Sequence, residues 1–506
     1  MDKFVPEDVE KNMESKVGVI SESQKNLKRG LKSRHMSMIA LGGAIGTGLF
    51  VGSGSSLALS GPGGTLISYV ITGVMVFFIM GALSEMASFI PVSGSFSDFA
   101  TRFVDPALGM ATGWNYWFVW SVVVGSELVA CGIIMKYWLP NVHPVIWGLV
   151  AAAIIFLLNI IHVGGFGESE FWFSLLKVIA VIAFIIVGVL VSSGVLGKVK
   201  YGFKYWDYEQ APFVDGFRGT LLTFVFAGFS FMGTESIGVT AGESKNPRKD
   251  VPRAVRSLFW RILIFYVLAI FVMSMIIRYD DPSLTSAKIN NIGVSPFTTV
   301  FKLAGLGKAA DVMNAVILIS VVSAGNAGMY ASSRLPYTLY HKGMGPKFLS
   351  KTSKAGIPYV SLLFSIAFSV ILLLISLVVT NVYVFLVNAA GIMGFLTWVS
   401  ITITHIKFRA ALKAQNVDMN ELPYRVMLYP FGTYFSLILI ILVIIGQMYA
   451  TIYLGTNALN FISTFIGIPL FVGMYVFWKF FKKTKVVPSH EVDLISDCVM
   501  YNTYGN

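Results

Sequence analysis

A chain of 506 residues has room for three or four soluble domains, yet it is 55% hydrophobic and only 13% charged, against roughly 45–50% apolar and 25% charged in a soluble domain. Two cysteines, Cys131 in an apolar run and Cys498 near the end, exclude a disulfide framework. The formal charge of +12 lies mainly in the polar connections between apolar runs, so a membrane topology accounts for it and a nucleic-acid partner is not expected.

The opening segment, 1–35, mixes both charges and ends in KNLKRGLKSRH. It holds no short apolar core with a small-residue cleavage site, so it is not a signal peptide. Lys25, Lys28, Arg29, Lys32 and Arg34 beside the first span resist translocation, and a cytosolic tail is expected. Apolar runs long enough to cross about 30 Å of hydrocarbon then follow at 36–59, 65–88, 108–138, 145–163, 171–194, 219–242, 258–278, 310–336, 358–379, 382–406, 429–452 and 458–481. The expected fold is all-α and polytopic, with about twelve transmembrane helices in a lipid bilayer. Lys and Arg concentrate after spans 6, 8 and 10 and in the tail 482–506, whereas 52–64, 380–381 and 453–457 carry none. Lys198, Lys200 and Lys204 are a local exception. Both termini are therefore expected in the cytoplasm.

Two spans differ from the rest. Span 1 holds GGAIGTG (Gly42 to Gly48) and span 6 holds FAGFSFMGTE (Phe226 to Glu235). Glycine disfavours continuous helix by roughly 1 kcal/mol per residue relative to Ala, so both helices are expected to break in mid-membrane. Each opens a block of five spans, giving repeats over 36–194 and 219–406 with extra helices over 429–481. An odd number of spans per block inverts the second block, which is the pattern of secondary transporters, and their broken helices mark the substrate site. An isolated GxxxG signals close helix packing instead; glycine breaks at matching places in both halves favour the transporter.

Unwound backbone suits a zwitterion, and so a free amino acid. Its exposed N–H groups and the positive end of a half-helix meet a carboxylate, while freed carbonyls meet an ammonium. The carboxylate is assigned to the backbone of Gly46, Thr47 and Gly48. The ammonium is assigned to carbonyls near Ala44 on span 1 and near Ser230 and Phe231 on span 6, with Gly233 and Thr234 completing that break. Phe231 is a candidate lid, against the alternative of a core- or lipid-facing aromatic.

Ionisable residues deep in spans are costly and usually functional. Glu127 lies in the middle of span 3, Glu235 just after the span 6 break, and Lys177 in the first half of span 5. Lys177 is the proton-coupling candidate because burial disfavours its charged form; the alternative is a lysine snorkelling inward beside Glu168 and Glu170. Glu127 either faces a cationic substrate or accepts a proton, and a structural pair with Lys177 or a backbone donor is its plainer role. Glu235 either caps the second half-helix, lines the site or serves protons. Glu85 is expected in an ion pair. Asn115, Asn159 and Asn388 are ordinary interhelical hydrogen-bond partners, while Ser323 and Asn326 of SAGNAG have the better claim to line the path.

The strings LKSRHMSMIALGGAIGTGLFVGSG, SGPGG, GALSEMASFIPVSGSF, GWNYW, GFSFMGTESIGVTAGESKNPRKDVPRAV and NAVILISVVSAGNAGMYASSR resemble the amino acid transporter family of the amino acid, polyamine and organocation superfamily, over roughly residues 28–480. The likeness is nearest to bacterial lysine-specific permeases. It implies a LeuT-like fold of two inverted five-helix repeats plus two C-terminal helices, proton-coupled symport, a site at the breaks of spans 1 and 6, an acidic residue matching Glu127 and a membrane lysine matching Lys177. Two positions depart from the lysine-type pattern. Met232 replaces a glutamine, and Asn388, Ala389, Ala390 and Gly391 replace a more polar run in span 10, where Ala390 is a candidate pocket residue.

The function expected is proton-driven import of amino acids, cationic ones first (lysine, with arginine or histidine), across the cell membrane. Import of neutral or broader substrates and amino acid exchange are the alternatives. An enzyme is not expected: the six histidines are scattered, with no HxxxH or HExxH pair to hold metal, and no cofactor is expected either. A channel lacks the rings of polar residues a pore needs. The sequence does not specify an oligomeric state.

Overall fold

The computed structural model describes residues 45–92, 94–161, 164–197, 199–241, 246–285, 295–353, 356–379, 382–453, 458–496 and 498. Among them the regular structure is helical throughout, with no strand. Among the described residues, eight helices are long and apolar enough to cross a membrane, and three shorter apolar ones join them.

The first helix, α1, covers Gly48–Phe89. It opens with a wide turn over Gly48–Gly52 and is interrupted at Gly61, where φ is 71°. That angle is open to glycine, and Pro62 restarts the helix at a position where its missing N–H costs nothing. Spans 1 and 2 therefore meet with almost no loop, inside the gap of 60–64 expected between them. The amide groups of Gly63 and Gly64 donate to the Pro212 carbonyl, which fastens the turn under the long outer loop.

Beyond it lie α2 (Ser95–Phe103), α3 (Pro106–Met135), α4 (Pro144–Ile161) and α5 (Gly164–Ser192). Span 6 is two pieces, α6 (Gly216–Phe231) and α7 (Ser236–Ala241). Then come α8 (Pro247–Ile276), α9 (Pro296–Leu303), α10 (Gly307–His341), α11 (Tyr359–Ile375) and α12 (Val382–Ala414). The chain continues with α13 (Phe431–Tyr453), α14 (Ala458–Phe465) and α15 (Gly467–Phe481). Two findings depart from the expected spans. Span 12 is divided at Ile466, and the short helices α2 and α9 occupy stretches expected to be connections. At nine and eight residues, α2 and α9 are too short to cross hydrocarbon. Each follows the second span of its half, so one order of elements occurs twice along the chain.

The stretches in α3 and span 6 are the innermost, 83% and 89% buried, against 33% in α13. α3 packs on α10, α12, α11 and α4 and forms the axis of the bundle. On α13, Leu442, Ile445, Tyr449 and Ile452 are exposed, the apolar outer face that lipid solvates.

Polar pairs tie these helices together. Asn115 of α3 donates to the Met393 carbonyl and to Thr397 Oγ1 of α12, at 3.0 and 2.9 Å. The buried Glu85 carboxylate accepts from Arg409 Nη2 at 2.6 Å and the Val426 amide at 2.7 Å, with His405 Nε2 at 3.1 Å. This is the expected ion pair, enlarged to a cluster between α1 and α12. Lys342 at the end of α10 pairs with Asp98 of α2. The segment after α15 docks on the same end of the bundle: Arg102 of α2 donates to the Ser496 carbonyl at 2.7 Å, and Gln415 donates to the Val492 carbonyl at 2.7 Å.

Candidate functional site

In span 6 the break runs from Met232 to Glu235, with Gly233 at φ 88°. Left-handed backbone there turns the chain at little cost for glycine alone. In span 1 the described helix α1 begins at Gly48 with Thr47 at its N-cap, and Ile45 and Gly46 precede it without helical structure. Ala44 and the first half of span 1 lie outside the described residues. The start of α1 and the end of α6 touch: a Cβ added to Gly48 would stand 2.7 Å from Ser230 Cα. One added to Gly46 would stand 2.7 Å from Glu127 Oε1 and 2.9 Å from Ala324 Cβ. These glycines let α3, α6 and α10 close on unwound main chain.

Glu127 of α3 faces the start of α1. Its Oε1 accepts from the Thr47 amide at 3.3 Å and from Thr47 Oγ1 at 3.0 Å, while its Oε2 is buried with no hydrogen-bond partner. A carboxylate at a helix N-terminus is favoured by the partial positive charge there. Glu127 thus already uses one of the amides assigned to a substrate carboxylate. The opposite break is also internally bonded. The Ser230 carbonyl accepts from Tyr266 Oη at 2.8 Å, Ser230 Oγ shares a hydrogen bond with Tyr69 Oη at 2.9 Å, and Thr234 Oγ1 donates to the Phe231 carbonyl at 2.9 Å. The Phe231 ring lies between Tyr266 and Tyr69, with centroids 4.3 and 6.1 Å away. It is fully buried in an aromatic trio, so a lid motion requires that trio to part.

Glu235 accepts the Gly233 amide at 3.1 and 3.2 Å on its two oxygens and is bonded by Trp398 and Tyr116. It stiffens the turn of the break. Lys177 of α5 is fully buried and interacts electrostatically with Glu170, Glu127 and Arg261. Ser323 and Asn326 each donate to Glu170, at 3.1 Å. Their stretch approaches break 1 through the intervening Ala324. Ala390 is fully buried on α12. It shares a helical stripe with Tyr383, seven residues before it, and Gly394, four after it. Gly394 abuts Met232 of break 6, whose Sδ would lie 3.1 Å from an added Cβ. Tyr383 interacts with Thr47 of break 1 and with Glu127.

An amino acid permease model matches residues 35–490. The chain belongs to the amino acid permease family. A lysine-specific permease of Escherichia coli is 46% identical over 469 residues, 92% of this chain and 96% of that protein. A lysine-specific permease of Lactococcus lactis is 46% identical over 480 residues, 94% of each chain. A histidine permease of Lactococcus lactis is 42% identical over 477 residues, 94% of this chain and 99% of that protein. The protein is thus a multi-pass membrane permease for amino acids.

Sequence reasoning about this permease left out Glu170 as a site residue, along with Tyr383, Tyr69, Tyr266 and Arg261. The buried Tyr383 hydroxyl has no hydrogen-bond partner by distance and angle. Tyrosine suits core, interface and site equally, so only its placement on the stripe beside Ala390 sets it apart. Arg261, fully buried with Nη2 donating to Tyr266 Oη at 3.3 Å, lay near the start of the expected span 258–278, where a basic residue looks interfacial, and was not singled out. α8 begins at Pro247, eleven residues before the expected span, so Arg261 stands fourteen residues into the helix and not near its start.

Proposed function

We propose that this permease imports amino acids, cationic ones first, by proton-coupled symport with alternating access, across the cell membrane and with both termini in the cytoplasm. The observation that carries the substrate class is Glu127 Oε2, a buried carboxylate oxygen without a donor. Leaving a charged acceptor unsatisfied costs a few kcal/mol, and a substrate side-chain ammonium or guanidinium at that position removes the cost. Lysine-specific and histidine permeases among the relatives agree with this.

The substrate carboxylate takes the amides of Gly46, Thr47 and Gly48, replacing Glu127 at Thr47. Its α-ammonium takes carbonyls of Ala44 and of the α6 end at Ser230 and Phe231, with Gly233 and Thr234 providing the turn. Ala390, Ser323 and Asn326 belong to the surrounding helices, α12 and α10. Lys177, with Glu127 and Glu235, carries the proton linkage: Lys177 sits within electrostatic reach of Glu127, so protonation of one changes the occupancy of the other. Spans within 36–194 and 219–406 act as two repeats that rock about the breaks, beside the extra helices of 429–481. In this topology 1–35 and 482–506 lie on the inner side.

A second reading, import of neutral or broader substrates, draws on Met232 packing against Gly394, which makes that wall of the pocket apolar. Competition against labelled lysine uptake separates the two. Unlabelled lysine, arginine and histidine are expected to compete and leucine to fail; competition by leucine with none by lysine would overturn the cationic assignment.

A further inference from the structure

Glu170 stands seven residues before Lys177 on α5, about 10 Å nearer the start of that helix at 1.5 Å per residue. Seven residues make nearly two full turns, so the two side chains share a face. Glu170 is fully buried. Ser323 Oγ donates to its Oε2 and Asn326 Nδ2 to its Oε1, both at 3.1 Å. Asn326 Oδ1 in turn accepts from Asn159 Nδ2 of α4 at 2.9 Å, which fixes the amide so that its nitrogen faces the carboxylate. Three helices thus build a cradle with a donor on each oxygen, as an ionised acid requires. Charged groups from the facing helices act on the pair: Lys177 acts on Glu170 from α5, and Glu127 of α3 and Arg261 of α8 act on Lys177.

We propose that Glu170 is the inner station of the proton path, taking the proton that Lys177 releases and passing it to water at the cytoplasmic end of α5. The inference rests on proton coupling and on the inner placement of the N-terminus. In the step, the Lys177 ammonium breaks one N–H bond and becomes an amine, and the Glu170 carboxylate forms one O–H bond and becomes a neutral acid. Net charge is unchanged, and two opposite buried charges become none. A neutral pair is the form that can change its surroundings during a conformational switch without the desolvation cost of bare ions. Ser323 and Asn326 hold the ionised form ready to accept, and loss of the proton to water restores it.

The test uses the full chain in liposomes with labelled lysine. Under an acid-outside gradient, Glu170→Gln is expected to lower accumulation tenfold or more, while lysine–lysine exchange without a gradient falls less than threefold. Glu170→Asp, which keeps the acid, is expected to restore accumulation and shift its dependence on internal pH. Accumulation by Glu170→Gln within threefold of the parent, or exchange lost as deeply as accumulation, would overturn the proposal. If Glu170→Gln does not fold, as judged by thermal unfolding in detergent, the Asp variant decides: an unmoved pH profile overturns the proposal. A parent protein that shows exchange but no gradient-driven accumulation instead overturns proton coupling, a result distinct from either variant outcome.

Discussion

In the proposed mechanism two buried charges share substrate and proton: Glu127 meets the substrate and joins Lys177 in the proton linkage. Glu127 holds Thr47 with one oxygen and leaves the other unpartnered, so Glu127→Gln keeps the shape and removes the charge. Uptake of lysine is expected to fall about tenfold or more, the effect of losing roughly 1.4 kcal/mol or more of charge-assisted bonding, with a smaller loss for a neutral substrate; equal losses would make its role structural. Lys177→Ala is expected to abolish accumulation against a gradient while leaving binding and some exchange, read by parallel uptake and exchange assays. Unchanged accumulation would remove Lys177 from the mechanism. Both residues were legible in the sequence because each is a charge in mid-run among apolar neighbours. Glu170 was legible only as a neighbour: lying near the start of its span and close to Glu168, it has the pattern of an interfacial acid. Its burial depends on Ser323 and Asn326, more than 150 residues away, and no local pattern encodes that pairing.

At the scale of the helix, the glycines of span 1 are needed for approach more than for flexibility. The α1 start and the α6 end touch at Gly48 and Ser230, where an added Cβ stands 2.7 Å from main chain. Main chain does not yield as a flexible side chain does, and overpacking of this kind costs typically 1–3 kcal/mol. Gly48→Ala is expected to reduce uptake at least tenfold while the protein still reaches the membrane, measured by transport against surface-normalised protein. Near-normal uptake would show that the breaks need not meet. The span 6 break was legible in FAGFSFMGTE, since Gly233 takes the left-handed turn that residue permits. The short helices α2 and α9 were not. Eight or nine amphipathic residues give too little apolar length to register as a span, and their amphipathic faces are defined only by the bundle they close. The join of spans 1 and 2 was expected within 60–64 and falls at Gly61; that helix runs on almost directly from Pro62 was not legible, because a Ser- and Gly-rich stretch next to Pro reads as a loop when the helix geometry on either side is unknown.

Across the whole molecule, α3, the start of α1 and the end of α6 meet at the axis of the bundle, where the proposed substrate site lies, and α5 beside it holds Lys177 and Glu170, to which the proton linkage is assigned by proposal. The Glu85, His405 and Arg409 cluster and the docked segment after α15 tie α1, α2 and α12 together at one end of the bundle. The proposed rocking motion would rearrange contacts of this kind and keep the region around Gly48 and Ser230 as its fixed point. The most direct test is accumulation of labelled lysine by the purified protein in liposomes with an acid-outside proton gradient. The account predicts accumulation above equilibrium that collapses when a protonophore dissipates the gradient; uptake that only equilibrates, and is the same with and without the gradient, would contradict it.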